Sequence, residues 1–405
     1  MALVSSRCGA GGHSLCSRQA LETNKVNGRS GSTVIVGGAL WSSIGKSCTG
    51  AACFVPSAVC VRRGRFVCHG NAWVLRRDQK GGPRGVCLHG DKHTRARNVE
   101  IAALNRKDLD ACGSGVAEGL FDKFLEYAVR AVEQRADISP LPCQGEFQNM
   151  VAADGQSVVK NVAFESTKFR LFRCATINGG DNMQVLNVAI CARPEYDLPI
   201  FCADFFSTAR MNIVVLDLNP LYNTEQRPEY KEKYYSRILP LGNKYAELLP
   251  WGDKLTAESI QFFSPIVLWT RPASREEIQE TVFRAFKDYL DAWLDMADKA
   301  NPSNDAYEIA ENQESHHRYL MWRATKDPGR YLLMRLFGEP LCERYITEFL
   351  FNGVNTLGTK TFLDYFPEYR GVDGSIIKQR SVVGKAYAER PWNKDGTFAP
   401  MLHEV

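Results

Sequence analysis

No unbroken apolar run in the 405 residues approaches the ~18 that a membrane-crossing helix needs, so a helical membrane protein is excluded. The first 97 residues are almost without acid: Glu22, Asp78 and Asp91 stand against 15 lysines and arginines, a net charge of +12. The remainder carries 43 acids against 35 Lys and Arg, a net of −8, which argues against a general nucleic-acid binder with a basic face. Residues 1–97 are rich in Ser, Gly, Arg and Cys and show no sustained helical or strand period, the composition of an organellar transit peptide. A secretory signal would need an apolar core after the first basic residues, and none follows. A basic tail that binds an acidic surface is the other reading of the same composition.

Signals for bound cofactors are equally sparse. No Gly-x-Gly-x-x-Gly follows a strand-like run, so a nicotinamide or flavin site of that kind has no support. Gly353 to Lys360 imitates a phosphate loop, but Thr359 separates Gly358 from Lys360 and displaces the lysine. Beyond residue 97 there are only three histidines, His316, His317 and His403. Adjacent residues on a helix point about 100° apart, so His316 and His317 cannot chelate one metal together and are expected as surface or cap residues. The six cysteines of this part (112, 143, 174, 191, 202 and 342) form no C-x-x-C and are expected as small buried hydrophobes of a reducing compartment.

What is present reads as one domain over residues 98–405, with folding expected from about residue 115. Val116, Leu120, Phe121, Phe124, Leu125, Ala128 and Val132 recur at three- and four-residue spacing and predict a helix over 116–135. Strand patterns follow at 157–164, 167–176, 182–192, 199–207 and 211–218, joined by short turns that require antiparallel pairing. After Pro220 the pattern becomes helical. Ser274 and Glu277 suggest a capping box opening a helix to about Ala300. Another helix is expected over 305–324, a third from Asp327-Pro328 with Asp as N-cap, and a last one through Phe351 after a break at Gly338. Residues 353–405 are expected to wrap the surface. The fold class is α/β, an α/β/α sandwich with a central antiparallel sheet flanked by helices.

Three polar residues stand out. Asp204 interrupts the apolar strand Ile200–Phe206, and Asn187 interrupts Val185–Ala189. A carboxylate in such a run is costly unless paired, so its pKa should rise; the residue is either a buried acceptor of backbone hydrogen bonds or a general acid that keeps its proton near neutral pH. Asn187 reads equally as a structural amide or a binding group, and Asp327 as a helix cap.

These residues lie in stretches that resemble the ferredoxin-dependent bilin reductases. The likeness runs from Asn187 through "RPEYDLPIFCADFF" to "VVLDLNPLY". It continues in "ESIQFFSPIVLWTR", "FKDYLDAWLDM" and "YLMWRATKDPGRYLLMRLFGE". The stretch "FLFNGVNTLGTKTFLDYFPEY" is similar to the plant branch, which reduces biliverdin to phytochromobilin.

The resemblance implies a substrate, biliverdin, held between the sheet and the carboxy-terminal helices, with reduced ferredoxin as electron donor and no bound metal or flavin. It implies that Asp204 is the sheet aspartate that donates a proton and that Asp327 is its counterpart on the opposite face of the bilin. Arg323 would lie near the substrate and steer a propionate, and Asn187 would contact the bilin. Lys326 and Arg330, with Arg323, would form a basic edge for acidic ferredoxin. A chloroplast stroma and a monomer are the expected setting, with no nucleic-acid or membrane partner. At position 187 the plant branch is expected to carry aspartate and the phycocyanobilin enzymes histidine. Asparagine there resembles the phycoerythrobilin enzymes, so phycoerythrobilin or phycocyanobilin remain alternative products. From a different class, a non-catalytic bilin carrier is the other alternative.

Overall fold

Strands that succeed one another through short turns have only one economical way to pair, and the computed structural model of the chain shows it. It describes residues 119–377 and 386–399. The leader, Cys112 and the first residues of the expected helix at 116–135 lie outside the described residues. The strands are β1 (Ser139–Pro140), β2 (Asn149–Val151), β3 (Val158–Glu165), β4 (Phe169–Asn178), β5 (Gln184–Ala192), β6 (Ile200–Ser207) and β7 (Asn212–Asn219). Two further short strands are β8 (Leu255–Thr256) and β9 (Leu268–Thr270), and β10 (Ala386–Tyr387) pairs with β8. The main sheet runs β1-β3-β4-β5-β6-β7-β9, with β2 also on β3, and every pair is antiparallel.

Alternation divides each long strand between two layers. On one side, Phe172 and Cys174 of β4, Leu186 and Val188 of β5, Phe201 and Phe205 of β6 and Leu216 of β7 pack into one core. Helices α1 (Asp122–Arg135) and α2 (Phe283–Lys299) cover it. Phe124 of α1 meets Phe205 and Phe286 at ring separations of 5.7 and 5.3 Å. On the other side, Ala175 and Ile177 of β4 and Cys191 of β5 face α3 (Ala306–Lys326), α4 (Arg330–Phe337) and α5 (Glu339–Arg344). A π turn over Tyr345–Leu350 continues α5. This is the expected α/β/α sandwich.

Several local expectations are corrected. After Pro220 the chain is not purely helical, because β9 pairs with β7 and extends the sheet. Three residues are too few to show a period. Ser274 accepts the Glu277 N–H at 3.2 Å, but the Glu277 carboxylate takes the N–H of Ala273 at 2.7 Å, one residue short of a reciprocal box. Asp327 ends α3 instead of opening α4, which begins at Arg330. The segment after 353 does more than wrap the surface: Phe362, Phe366 and Tyr369 are buried around Trp322.

His316 and His317 are not surface residues, since each is 1% exposed. His317 bonds the Tyr365 hydroxyl at 2.9 Å and the Val354 carbonyl at 3.0 Å. His316 has no hydrogen-bond partner among the described residues, and burial beside Arg170 depresses it to about 3. The five described cysteines are free thiols, with Cys174, Cys191, Cys202 and Cys342 buried and Cys143 partly so.

Candidate active site

The register of the sheet creates the site. Asn187 on β5 and Asp204 on β6 are directly opposed, so both side chains leave the sheet on the side facing α3 and α4. There they line a cleft with about 580 Å³ of space between its walls, counting the part open to solvent. Its sheet wall is otherwise apolar, formed by Ala175, Ile177, Val185 and Phe206. Its helical wall comprises Leu332 and Leu333 of α4, Tyr345 and Leu350 of the π turn, and the connection Asp327–Gly329. Asp327 reaches the cleft because α3 ends at it, and Pro328 cannot carry the α3 hydrogen-bond ladder further.

The polar groups are coupled. Arg323, in the last turn of α3, places Nη2 3.3 Å from Asp204 Oδ2, with the two side chains only 16% and 19% exposed. The pairing that the strand sequence left open for Asp204 is thus supplied by the helix above it. Burial opposes the Arg323 cation, but Tyr319, Cys202, Asp204 and Asp327 outweigh it and raise its pKa. Burial pushes the Asp327 carboxyl up to about 6, with Asp204 adding to the rise. The Gly329 N–H at 3.0 Å, Arg323 and Arg330 pull it the other way. A carboxyl poised there holds and releases a proton near neutral pH.

Thus Asp204, Asp327 and Asn187 share one cleft, and Arg323 joins them through Asp204. Lys326 and Arg330 are placed differently. The Lys326 ammonium lies 4.1 Å from the Tyr369 ring centroid, and burial lowers it to about 8. Arg330 is paired with Glu343 and donates to the Ala324 carbonyl at 2.8 Å, its side chain 20% exposed. Arg330 therefore holds α4 to the end of α3 as well as standing near the cleft.

Sequence reading missed three supporting groups. Arg173 is 2% exposed beneath the cleft and donates to the carbonyls of Leu350 at 2.6 Å and Asn187 at 3.2 Å, tying both walls together. Its signal was a charged residue inside the apolar run of β4. Tyr345 lines the cleft and donates to Asn161 Oδ1 at 2.7 Å. Asp217 is fully buried, and burial pushes it up to about 7 despite bonds from Ser264. It interrupts an apolar strand just as Asp204 does.

Comparison with known proteins places this arrangement. Residues 125–352 match the family model of the ferredoxin-dependent bilin reductases. Phytochromobilin:ferredoxin oxidoreductase, chloroplastic, of Arabidopsis thaliana is 45% identical over 278 residues, covering 69% of this chain and 84% of that protein. Phycoerythrobilin:ferredoxin oxidoreductase of Nostoc punctiforme is 36% identical over 239 residues, covering 58% and 93%. The crystal structure of phytochromobilin synthase from tomato in complex with biliverdin is similar with a TM-score of 0.67 and 50% identity. That match covers 69% of this chain and 99% of the tomato chain. With its sandwich fold and a cleft lined by carboxyls from both walls, the chain belongs to the ferredoxin-dependent bilin reductases.

Proposed function

We propose that this enzyme reduces biliverdin to phytochromobilin with electrons from ferredoxin, and that Asp204 and Asp327 supply the protons. The observation that carries this reading is the pair of carboxyl groups entering one apolar cleft from opposite walls, Asp204 from the sheet and Asp327 from the end of α3. A two-electron reduction of the bilin consumes two electrons and two protons. Electrons arriving singly leave charge on a substrate in a low-dielectric cleft, and a proton from a nearby carboxyl neutralises it. Asp204 faces the bilin beside Asn187; it takes up a proton from solvent before each transfer, and Arg323 stabilises the carboxylate left after it. Asp327 does the same from the opposite face and is reprotonated readily because burial holds it near 6. The biliverdin bound to the tomato relative and the Arabidopsis relative's name support the substrate and product.

Residues 1–97 are the leader that directs the protein to the chloroplast stroma and are dispensable for turnover; loss of folded protein on their deletion would refute this. Ferredoxin docks at the edge formed by Lys326 and Arg330, and its apparent affinity should fall as salt screens that edge. An affinity flat in ionic strength would remove the docking assignment.

Anaerobic incubation with biliverdin, ferredoxin and a ferredoxin-reducing system tests the whole reading. Phytochromobilin should appear on chromatography. A bilin spectrum that shifts on binding and then stays unchanged would identify a carrier instead. One observation favours a second product: Asn187, whose amide cannot donate a proton by ionisation, stands opposite Asp204 where the plant branch is expected to carry an aspartate. Phycoerythrobilin as the main product would establish that alternative.

A further inference from the structure

Asp217 lies on β7, outside the cleft and fully buried. Its partner across the sheet is Cys202, two residues before Asp204 on β6, so strand alternation places Asp217 and Asp204 on the same face. Several donors converge on its carboxylate. Ser264 supplies its N–H to Oδ2 at 2.9 Å and its hydroxyl to Oδ1, and Asn219 supplies Nδ2 to Oδ2 at 3.0 Å.

That arrangement has a directional consequence. Asn219 Nδ2 also donates to the Phe262 carbonyl at 2.6 Å, so both of its acceptors lie on one side and its Oδ1 is turned the other way. There Oδ1 accepts the Tyr319 hydroxyl at 3.3 Å. Tyr319 is four residues before Arg323 on α3, and residues at that spacing share a helix face. Arg323 in turn meets Asp204 at 3.3 Å. A run of polar contacts therefore leads from a buried acid on β7 to the helix face that presents Arg323 to the candidate proton donor.

A buried carboxylate is an expensive way to fill a sheet position, and an apolar side chain would avoid the cost. With donors already on both of its oxygens, Asp217 presents an acceptor to Asn219 and so fixes which end of Asn219 faces Tyr319. We propose that Asp217 is a positioning residue, which through Asn219 and Tyr319 seats α3 on β6 and so aligns the Arg323–Asp204 pair against the bilin. This rests on the reading of Asp204 as a proton donor.

The test uses the full chain with biliverdin and reduced ferredoxin, measuring kcat, KM for biliverdin and thermal stability for Asp217→Asn, Tyr319→Phe and the double variant. In Asp217→Asn the new amide hydrogens oppose Asn219 Nδ2; in Tyr319→Phe only the hydroxyl is lost. Each should lower kcat by about 10- to 100-fold with KM unchanged, as expected for a small misplacement of reacting groups. The double variant should be no worse than the more affected single variant, because both break one linkage. Losses that multiply in the double variant, or an unchanged kcat in either single variant, would overturn the proposal. Should Asp217→Asn fail to fold, Tyr319→Phe decides alone, and full kcat in it would overturn the proposal. Asp204→Asn run in parallel separates the two ideas. If it turns over normally while Asp217→Asn and Tyr319→Phe lose kcat, the proton-donor reading fails and the seating of Arg323 stands. If it stalls while those two turn over normally, only the positioning idea fails.

Discussion

The two faces of the central sheet are built on opposite principles. Toward α1 and α2 the strands present Phe, Leu, Val and Ile, and the polar groups buried there include Tyr289 and Trp293 of α2, which donate to the carbonyls of Ile266 at 2.6 Å and Pro199 at 2.7 Å. Toward α3 and α4 the same strands present Asn187, Asp204, Asp217 and Arg173: Asp204 pairs with Arg323 of α3, Asp217 takes the N–H of Ser264, and Arg173 donates to the backbone carbonyls of Leu350 and Asn187. One face uses burial to hold the domain together. The other gives up part of that burial to place polar and titratable groups on the side of the cleft.

The comparison breaks most visibly at Asp204. Asp204→Asn keeps size and hydrogen bonding but cannot deliver a proton, so turnover should fall by about 10²–10⁴-fold while biliverdin still binds. Stopped-flow spectra should show the bilin radical accumulating, and full activity would falsify the assignment. On the opposite face the reverse holds. Phe286→Ala, among the rings of Phe124, Phe201 and Phe205, should cost about 3–5 kcal/mol in denaturant unfolding. The fraction that stays folded should keep a normal kcat; a selective loss of kcat would mean that the two faces are not separable in this way.

The pH dependence of stability sharpens the contrast, because the cleft face carries shifts of both signs. Asp327 is raised from 3.8 to about 6, so the folded state binds more protons than the unfolded state in that interval. Its contribution is complete below about pH 4 and is lost as pH rises through 6. His316, on the same side, is depressed from 6.5 to about 3, so its contribution is present above pH 6.5 and is lost as pH falls. Denaturant melts of Asp327→Asn should lose the decline between pH 4 and 6, and those of His316→Phe should lose the acid-side decline below 6.5. Parallel curves for wild type and both variants would show that neither group is linked to folding.

The smallest effect is expected at position 187. Asn187→Asp changes volume little and should leave stability nearly unchanged, yet it adds a second carboxyl opposite Asp204. Product chromatography under the same ferredoxin supply should show a changed product ratio. An unaltered pattern and rate would make the amide a structural group.

Much of the sheet was legible because five strands in succession leave alternation and short turns on the page, and antiparallel pairing follows from turn length alone. The amphipathic stripe of α2 was legible for the same reason: Phe286, Tyr289, Leu290 and Trp293 recur at helical spacing. β9 was not, since three residues carry no period. Asp327 was found as a polar residue before proline, but its side of the boundary was misjudged. Asp-Pro reads equally as a helix start and as the stop of the preceding helix, and only packing of α3 on the sheet selects between them.

By itself the sequence determined the antiparallel sandwich, the acid-poor leader composition, and which carboxyl and amide groups interrupt apolar strands, because these follow from local pattern and from the cost of burying charge. It could not say which of those groups meet. That Asn187 faces Asp204, that Arg323 descends onto Asp204 from a helix 119 residues later, and that Asp217 lies behind Tyr319 are matters of strand register and helix seating. Register is set by the simultaneous packing of two cores against one sheet, a long-range constraint that no local window of residues contains.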